Sequence, residues 1–282
     1  MFKFLTYPKL PTLLRFYALI IVIALVAALV MKYRQASPEA PAETAPVVEE
    51  DAFVSELPDF SSITNIDQKK QSFFAFLHHY IDSENQRILK SRAVLLELSE
   101  ILLVDADLSP AELSSREQRA LDAIAAEYRL QDSGMSNAEL VEELLVRVDV
   151  IPVSLALAQA ATESAWGTSR FAKQGNNIFG QWCFDEGCGL IPGRRADSAS
   201  HEVRAFASVE ASVKAYFRNL NTNPTYEYLR ELRAQMRMQG KALDPMRLAA
   251  GLSRYSERGH VYVAEVQDIM RYNDLLSRDQ QS

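Results

Sequence analysis

The chain has 282 residues, 48% of them hydrophobic and 24% charged, with a formal net charge of −7 at pH 7. All five charges within residues 1–34 are basic, which leaves 25 basic against 37 acidic residues over 35–282, a net of −12. That balance argues against a nucleic-acid partner, and with no metal motif, phosphate-binding glycine loop or nucleophile elbow in the chain, neither a cofactor nor a metal is expected.

The first element is an uncharged apolar run from Phe16 to Met31, extended beyond Arg15 by Leu13 and Leu14. It falls slightly short of the about 20 residues that a spanning helix needs, a difference that flanking side chains make up. Lys3, Lys9 and Arg15 precede it, which favours a cytoplasmic N-terminus with the rest of the chain outside the cytoplasm. A cleaved signal peptide competes with this reading, but the sequence stays apolar through Leu29-Val30-Met31 and then turns basic at Lys32 and Arg34. That is unlike a normal cleavage region, so an uncleaved signal anchor over 1–34 is expected. Residues 35–52, rich in Pro, Ala and Glu without apolar periodicity, read as an extended tether.

A helical extension is expected over 53–134. Phe73, Phe74, Phe76, Leu77, Tyr80 and Ile81 form an apolar stripe that Ile88, Leu95, Leu96 and Leu98 continue, and such aromatics at helical spacing belong to a core. Ser109-Pro110-Ala111-Glu112 and Ser136-Asn137-Ala138-Glu139 each match a capping box, which marks helix starts near 110 and 137.

The next helix is the informative one. Pro152 suits its first turn, and Val153, Leu155, Ala156, Leu157, Ala160 and Ala161 continue the pattern without a single charge from Ile151 to Thr162. Gly167 is placed to end it, and Gln159 lies one turn before Glu163 on the same face. Glu163 is therefore the polar tip of a buried helix, near the negative pole of its dipole. Those surroundings disfavour the charged form, so the pKa should be raised, and a carboxylic acid still protonated near neutral pH can donate to a leaving group.

The segment from Glu163 continues Ser164-Ala165-Trp166-Gly167-Thr168-Ser169-Arg170-Phe171-Ala172 and is followed by Asn176-Asn177-Ile178-Phe179-Gly180. It resembles the signature of the glucosaminidase domains of glycoside hydrolase family 73, in the lysozyme-like superfamily. The resemblance covers about Met135 to Leu276, so 135–282 is expected to be the catalytic domain. It implies that Glu163 is the general acid of a mainly α lysozyme-like lobe with a small β excursion. It also implies a β-N-acetylglucosaminidase acting on the β-1,4 bonds of peptidoglycan or a related amino-sugar polymer, anchored at a bacterial inner membrane through residues 13–31 with its catalytic domain in the periplasm. A lytic transglycosylase using the same Glu, or a non-catalytic glycan-binding scaffold, are the alternatives.

Past Gly180 the texture turns to loop or hairpin. Cys183 and Cys188, the only cysteines, close a small loop by a disulfide in an oxidising compartment; a metal site is the alternative, with His201 a poor third ligand. Glycoside hydrolysis usually needs a second group, for which Asp185, Glu186, Asp197, Glu202 and Glu210 are candidates. Family members carry a second Glu ahead of a short strand in the β lobe, and Glu202, before Val203-Arg204-Ala205-Phe206, fits that description best. An alternative is that the substrate's own acetamido group serves as nucleophile.

Helical patterning returns at Ser208, with one stripe of Val209, Val213, Tyr216, Phe217 and Leu220 and another of Val261, Val263, Val266, Ile269 and Met270. Ser253-Arg254-Tyr255-Ser256-Glu257, followed by Tyr262-Val263, resembles a tyrosine-containing segment of the family, and Tyr226 matches another of its tyrosines. The expected glycan-binding residues are Trp166, Asn177, Phe179, Trp182, Tyr226 and Tyr255.

Overall fold

A computed structural model of the protein describes residues 57–104, 113–193 and 200–280. The expected membrane span, the tether and Asp197 lie outside the described residues. Among the described residues no helix is long and apolar enough to cross a membrane.

The spine is a 39-residue helix, α1 (Ile66–Val104), whose Phe73, Phe74, Leu77, Ile81, Ile88, Leu95 and Leu98 are buried at the three- and four-residue spacing that makes one helical face. Leu96, expected in that stripe, points outward and is 48% exposed. Helix α2 (Ser115–Glu127) begins at a capping box formed by Ser114 and Glu117, while the box expected at Ser109 and Glu112 lies outside the described residues. The box expected at Ser136 and Glu139 does open α3 (Asn137–Arg147). Two orphan backbone donors are satisfied reciprocally in each box.

Helix α4 (Val153–Ser164) is the centre of the molecule, with every residue from Val153 to Ala161 buried. A helix apolar on all sides has no face to offer water and is stable only when surrounded. Pro152 is its N-cap rather than its first helical residue, and it brings no side-chain cap. That role falls to Asp279, in a 3-10 turn near the chain's end (Leu275–Gln280), whose carboxylate accepts from the Ser154 amide at 2.9 Å and the Ser154 hydroxyl at 2.6 Å. At the other end the backbone turns left-handed for three residues, Ala165, Trp166 and Gly167 with φ of 50°, 60° and 74°. Gly167 is required there twice over, since a Cβ would also come 2.7 Å from the Phe60 ring.

A short helix, α5 (Arg170–Gly175), leads into the β excursion, whose strands β1 (Trp182–Cys183), β2 (Gly189–Leu190) and β3 (Glu202–Arg204) run antiparallel in the order β1-β3-β2. The remaining helices are α6 (Val209–Thr222), α7 (Glu227–Met238), α8 (Pro245–Leu248) and α9 (His260–Tyr272). One hydrophobic core runs from Leu57 to Leu275. Val209, Val213, Tyr216, Phe217 and Leu220 of α6 all enter it, whereas Val261, expected in the α9 stripe, is 67% exposed and Tyr262 takes the inward position beside Val263. The mainly helical lobe with its small sheet is consistent with a lysozyme-like architecture.

Beneath the start of α4, an ionic cluster fastens α3 to α7. Asp149 receives two hydrogen bonds from Arg237, at 2.8 and 2.9 Å, while Arg92 and Arg233 lie within 4 Å. The wholly buried Arg233 donates to the carbonyls of Val146, Arg147, Asp149 and Val150 and to Asn221 Oδ1, satisfying acceptors that the end of α3 would otherwise leave orphaned. Burial pulls the Arg233 guanidinium down to about 10, which leaves it charged at neutral pH. Burial drives Asp149 upward, but the Arg237 hydrogen bonds and the surrounding charges outweigh it and hold the carboxyl below its ordinary value.

Candidate active site

A cleft of about 720 Å³ opens where the C-terminal end of α4 meets the β excursion, lined by Glu163, Phe179, Gly180, Gln181, Trp182, Asn219, Tyr226, Tyr255, Ser256, Glu257 and Arg258. Glu163 is delivered by the last turn of α4 and is partly buried. Gly180 faces it from the opposite strand of backbone. Its φ is +64°, and a Cβ there would come 3.0 Å from Glu163 Oε2, so only glycine combines this backbone conformation with this approach.

Burial is the largest influence on Glu163 and raises its pKa; a hydrogen bond from Tyr262 and the charge of Arg258 act in the opposite direction, while Glu265 adds to the rise. Arg258 is itself paired with Glu265 at 2.6 Å, which diverts part of its charge from the cleft. Around the carboxyl stand four tyrosines. Burial, reinforced by the nearby Glu163 charge, lifts Tyr216, Tyr255 and Tyr262 well above the ordinary phenol value, and burial is also the main cause that pushes Tyr226 up to about 12. All four are therefore neutral donors at any ordinary pH. Tyr255 stacks parallel to Tyr262, with ring centroids 5.7 Å apart, and donates to the Phe179 carbonyl at 2.8 Å. Phe179 in turn stacks on Tyr216 at 3.8 Å. The result is a rigid aromatic floor with one protonatable group in it.

Of the expected glycan residues, Phe179, Trp182, Tyr226 and Tyr255 line this cleft, and two do not. Trp166 is turned into the core, edge-on to Phe73 and Phe74 with the Lys70 ammonium over its ring, because the left-handed turn after Ser164 sends it back toward α1. Asn177 is 1% exposed and is spent on backbone: it donates to the carbonyls of Gln181 and Arg204 and accepts from the Gln181 amide. It ties the loop that carries Gly180 to β3, so its effect on the cleft is through shape. Trp182 stands at the rim, 56% exposed, and stacks on His201 at 4.2 Å with an interplanar angle of 14°.

The expected second carboxylate is also placed elsewhere. Glu202 is 4% exposed, and its two oxygens accept from the amides of Gly187 and Gly189 at 3.1 and 2.7 Å. Cys183 and Cys188 are disulfide-bonded, as expected, and Glu202 braces the loop they close from within. With its lone pairs directed at backbone amides and its side chain outside the cleft lining, Glu202 is a structural group in this geometry. Glu210 is paired with Lys214 on α6. Among the described residues, the carboxylate that shares the cleft lining with Glu163 is Glu257, exposed on the loop before α9. Asn219 and Arg258, also in the lining, carried no signal in the sequence. Glu257 carried one: it lies two residues after Tyr255, in a segment already marked as resembling the family.

Comparison with known proteins gives a consistent result. A family model described as "Glucosaminidase: Mannosyl-glycoprotein endo-beta-N-acetylglucosaminidase" matches residues 138–275. Protein bax of Escherichia coli (strain K12) is 34% identical over 208 residues, which is 74% of this chain and 71% of that protein. No solved structure matches significantly.

Proposed function

As the chain belongs to the family of glucosaminidase-domain proteins that includes Protein bax, we propose that it is a glycoside hydrolase cutting the β-1,4 bond after N-acetylglucosamine in peptidoglycan or a related amino-sugar polymer, with Glu163 as general acid. The observation that carries this reading is the setting of Glu163: a carboxyl whose pKa is raised by burial, in the lining of an open aromatic cleft. Glu163 would protonate the glycosidic oxygen while the aromatic rings in the cleft lining, Trp182 at the rim above all, offer apolar faces to the sugars. Glu257 is the carboxylate positioned to activate water or to stabilise the oxocarbenium-like transition state. The apolar run 13–31 would attach this domain to the inner membrane, with the domain on the periplasmic side, a reading supported by the basic residues that precede the run and by the disulfide.

One observation favours a second reading. The best sequence candidate for a water-activating base, Glu202, lies outside the cleft, and a lytic transglycosylase needs no such base. Digestion of purified peptidoglycan by the full chain, with the released ends identified by mass spectrometry, separates the two. Reducing N-acetylglucosamine ends from wild type and none from Glu163→Gln are expected. Anhydro-muramic ends would establish the transglycosylase, and binding without release would leave a glycan-gripping scaffold.

A further inference from the structure

The β excursion holds two large aromatic side chains out in solvent. Trp182 is 56% exposed and Phe184 is 71% exposed, and neither belongs to the hydrophobic core. They stand two residues apart where β1 runs into the disulfide loop. Side chains at that spacing in an extended chain share a face and lie about 7 Å apart along it. Trp182 lines the cleft of Glu163 and Phe184 lies outside that lining, so the pair leads outward from the rim.

The loop that bears Phe184 is held firmly although it gives nothing to the core. Phe184, Asp185, Glu186 and Gly187 are all exposed. The Cys183–Cys188 disulfide closes the loop, the Cys188 amide donates to the Asp185 carbonyl at 3.2 Å within it, and Glu202 accepts from the Gly187 and Gly189 amides. His201, stacked on the Trp182 indole, fixes that ring and leaves its other face to solvent. What these devices secure is the position of exposed side chains, and a surface ordered in advance loses less entropy when a ligand settles on it.

The chemistry of the tip selects that ligand. Asp185 and Glu186 follow Phe184, and no Lys or Arg occurs from Gln181 to Leu190. Ionised carboxylates only accept hydrogen bonds. A pyranose offers what this surface takes, an apolar C–H face for the ring and hydroxyl donors around its edge. A bilayer is the competing occupant for two exposed aromatics, but anionic headgroups are drawn by basic residues, which this loop lacks. We propose that Phe184 and Trp182 form an aromatic platform for the same glycan strand, beyond the sugars at Glu163, with Asp185 and Glu186 accepting from its hydroxyls. The inference deepens the hydrolase reading and rests on it for the identity of the strand: the substrate is a polymer gripped outside the cleft as well as within it.

The test is a fluorescence titration of the full chain carrying Glu163→Gln, which prevents cleavage, with a disaccharide and a hexasaccharide of peptide-free peptidoglycan strand. Trp182 supplies the signal, since the other tryptophan, Trp166, is turned into the core. Adding Phe184→Ala should weaken hexasaccharide binding by about two- to tenfold, the worth of one aromatic contact, and leave disaccharide binding as it was. Phe184→Tyr, which keeps the ring, should bind both as its parent does. Because Phe184 lies outside the core, these substitutions leave the fold intact. A hexasaccharide affinity indifferent to Phe184→Ala overturns the proposal, and so does an equal weakening of both ligands. Failure of the parent to bind the hexasaccharide overturns it as well, and capture by phosphatidylethanolamine–phosphatidylglycerol vesicles that is lost in Phe184→Ala would then give the aromatics to the membrane. The titration needs no turnover, so an affinity that depends on Phe184 in a protein releasing no glycan would leave the platform standing and remove the hydrolase. Cleavage by wild type beside an affinity indifferent to Phe184 would do the reverse.

Discussion

Two carboxylates flank α4, Asp149 before its start and Glu163 in its last turn, and the protein treats them in opposite ways. Asp149 meets three guanidiniums and stays ionised in spite of burial. Glu163 meets a tyrosine hydroxyl, with its strongest cation already engaged by Glu265, and burial prevails. Both sites are buried carboxyls on one helical framework, and the difference lies in what is delivered beside them. Where α1 and α7 bring arginines, the acid fastens the fold. Where α6 and α9 bring phenols, burial prevails and the pKa of the acid is raised, at a cost to stability.

The largest effect should come from breaking the ionised site. Removing one partner of a buried pair strands the other, so Arg233→Met, which also orphans the carbonyls at the end of α3, should cost about 3–5 kcal/mol in chemical denaturation. Turnover per folded molecule should be close to wild type, and a loss of turnover in protein that is still folded would blur the distinction drawn between the two sites. Next in size is the brace of the β excursion. Replacing Cys183 and Cys188 by Ser should cost about 2 kcal/mol, the loop-closure value for so short a bridge. Because Trp182 adjoins Cys183 in β1, the KM for glycan should rise more than kcat falls, as steady-state kinetics on a soluble glycan would show.

At Gly180 the effect on stability is smaller and the effect on chemistry larger. Gly180→Ala adds a left-handed alanine costing about 1–2 kcal/mol and crowds Glu163 Oε2, so turnover should fall by about tenfold or more. A fully active Gly180→Ala variant would mean that Glu163 need not occupy its present position.

The pH response separates the two carboxyls most finely. The folded-state pKa of Glu163 is raised above its unfolded value, so between those values the native state holds the extra proton and stability falls as pH rises. For Asp149 the folded-state value is lowered, so its contribution is present above the unfolded value and is lost as pH falls. Thermal unfolding of Glu163→Gln against wild type should accordingly show no difference well below pH 4.5 and a growing advantage for the variant above it.

Much of this contrast was written in the sequence, and what was missing has a common physical cause. A charge-free run ending in one Glu is enough to announce a buried helix with a perturbed tip, and the capping box at Ser136 needs only local hydrogen bonds. Trp166, Asn177 and Glu202 were misplaced because each lies next to a recognisable motif yet points where its own backbone sends it: a left-handed turn, a loop crossing and a three-residue strand. Arg233 and Asp279 were invisible for the opposite reason. They cap α3 and α4 from more than eighty residues away in the chain, and no local pattern records such a partner. Glu257 stood in a marked segment, but only the fold shows that this segment faces Glu163.

The most direct test of the account measures activity and stability on the same Glu163→Gln sample at neutral pH. Loss of a positioned general acid should lower glycan turnover by about 10²–10⁴-fold, while the melting temperature stays equal to wild type or rises. A variant that keeps its turnover, or that loses turnover only because it unfolds, would contradict the claim that this carboxyl is retained for chemistry at the expense of the fold.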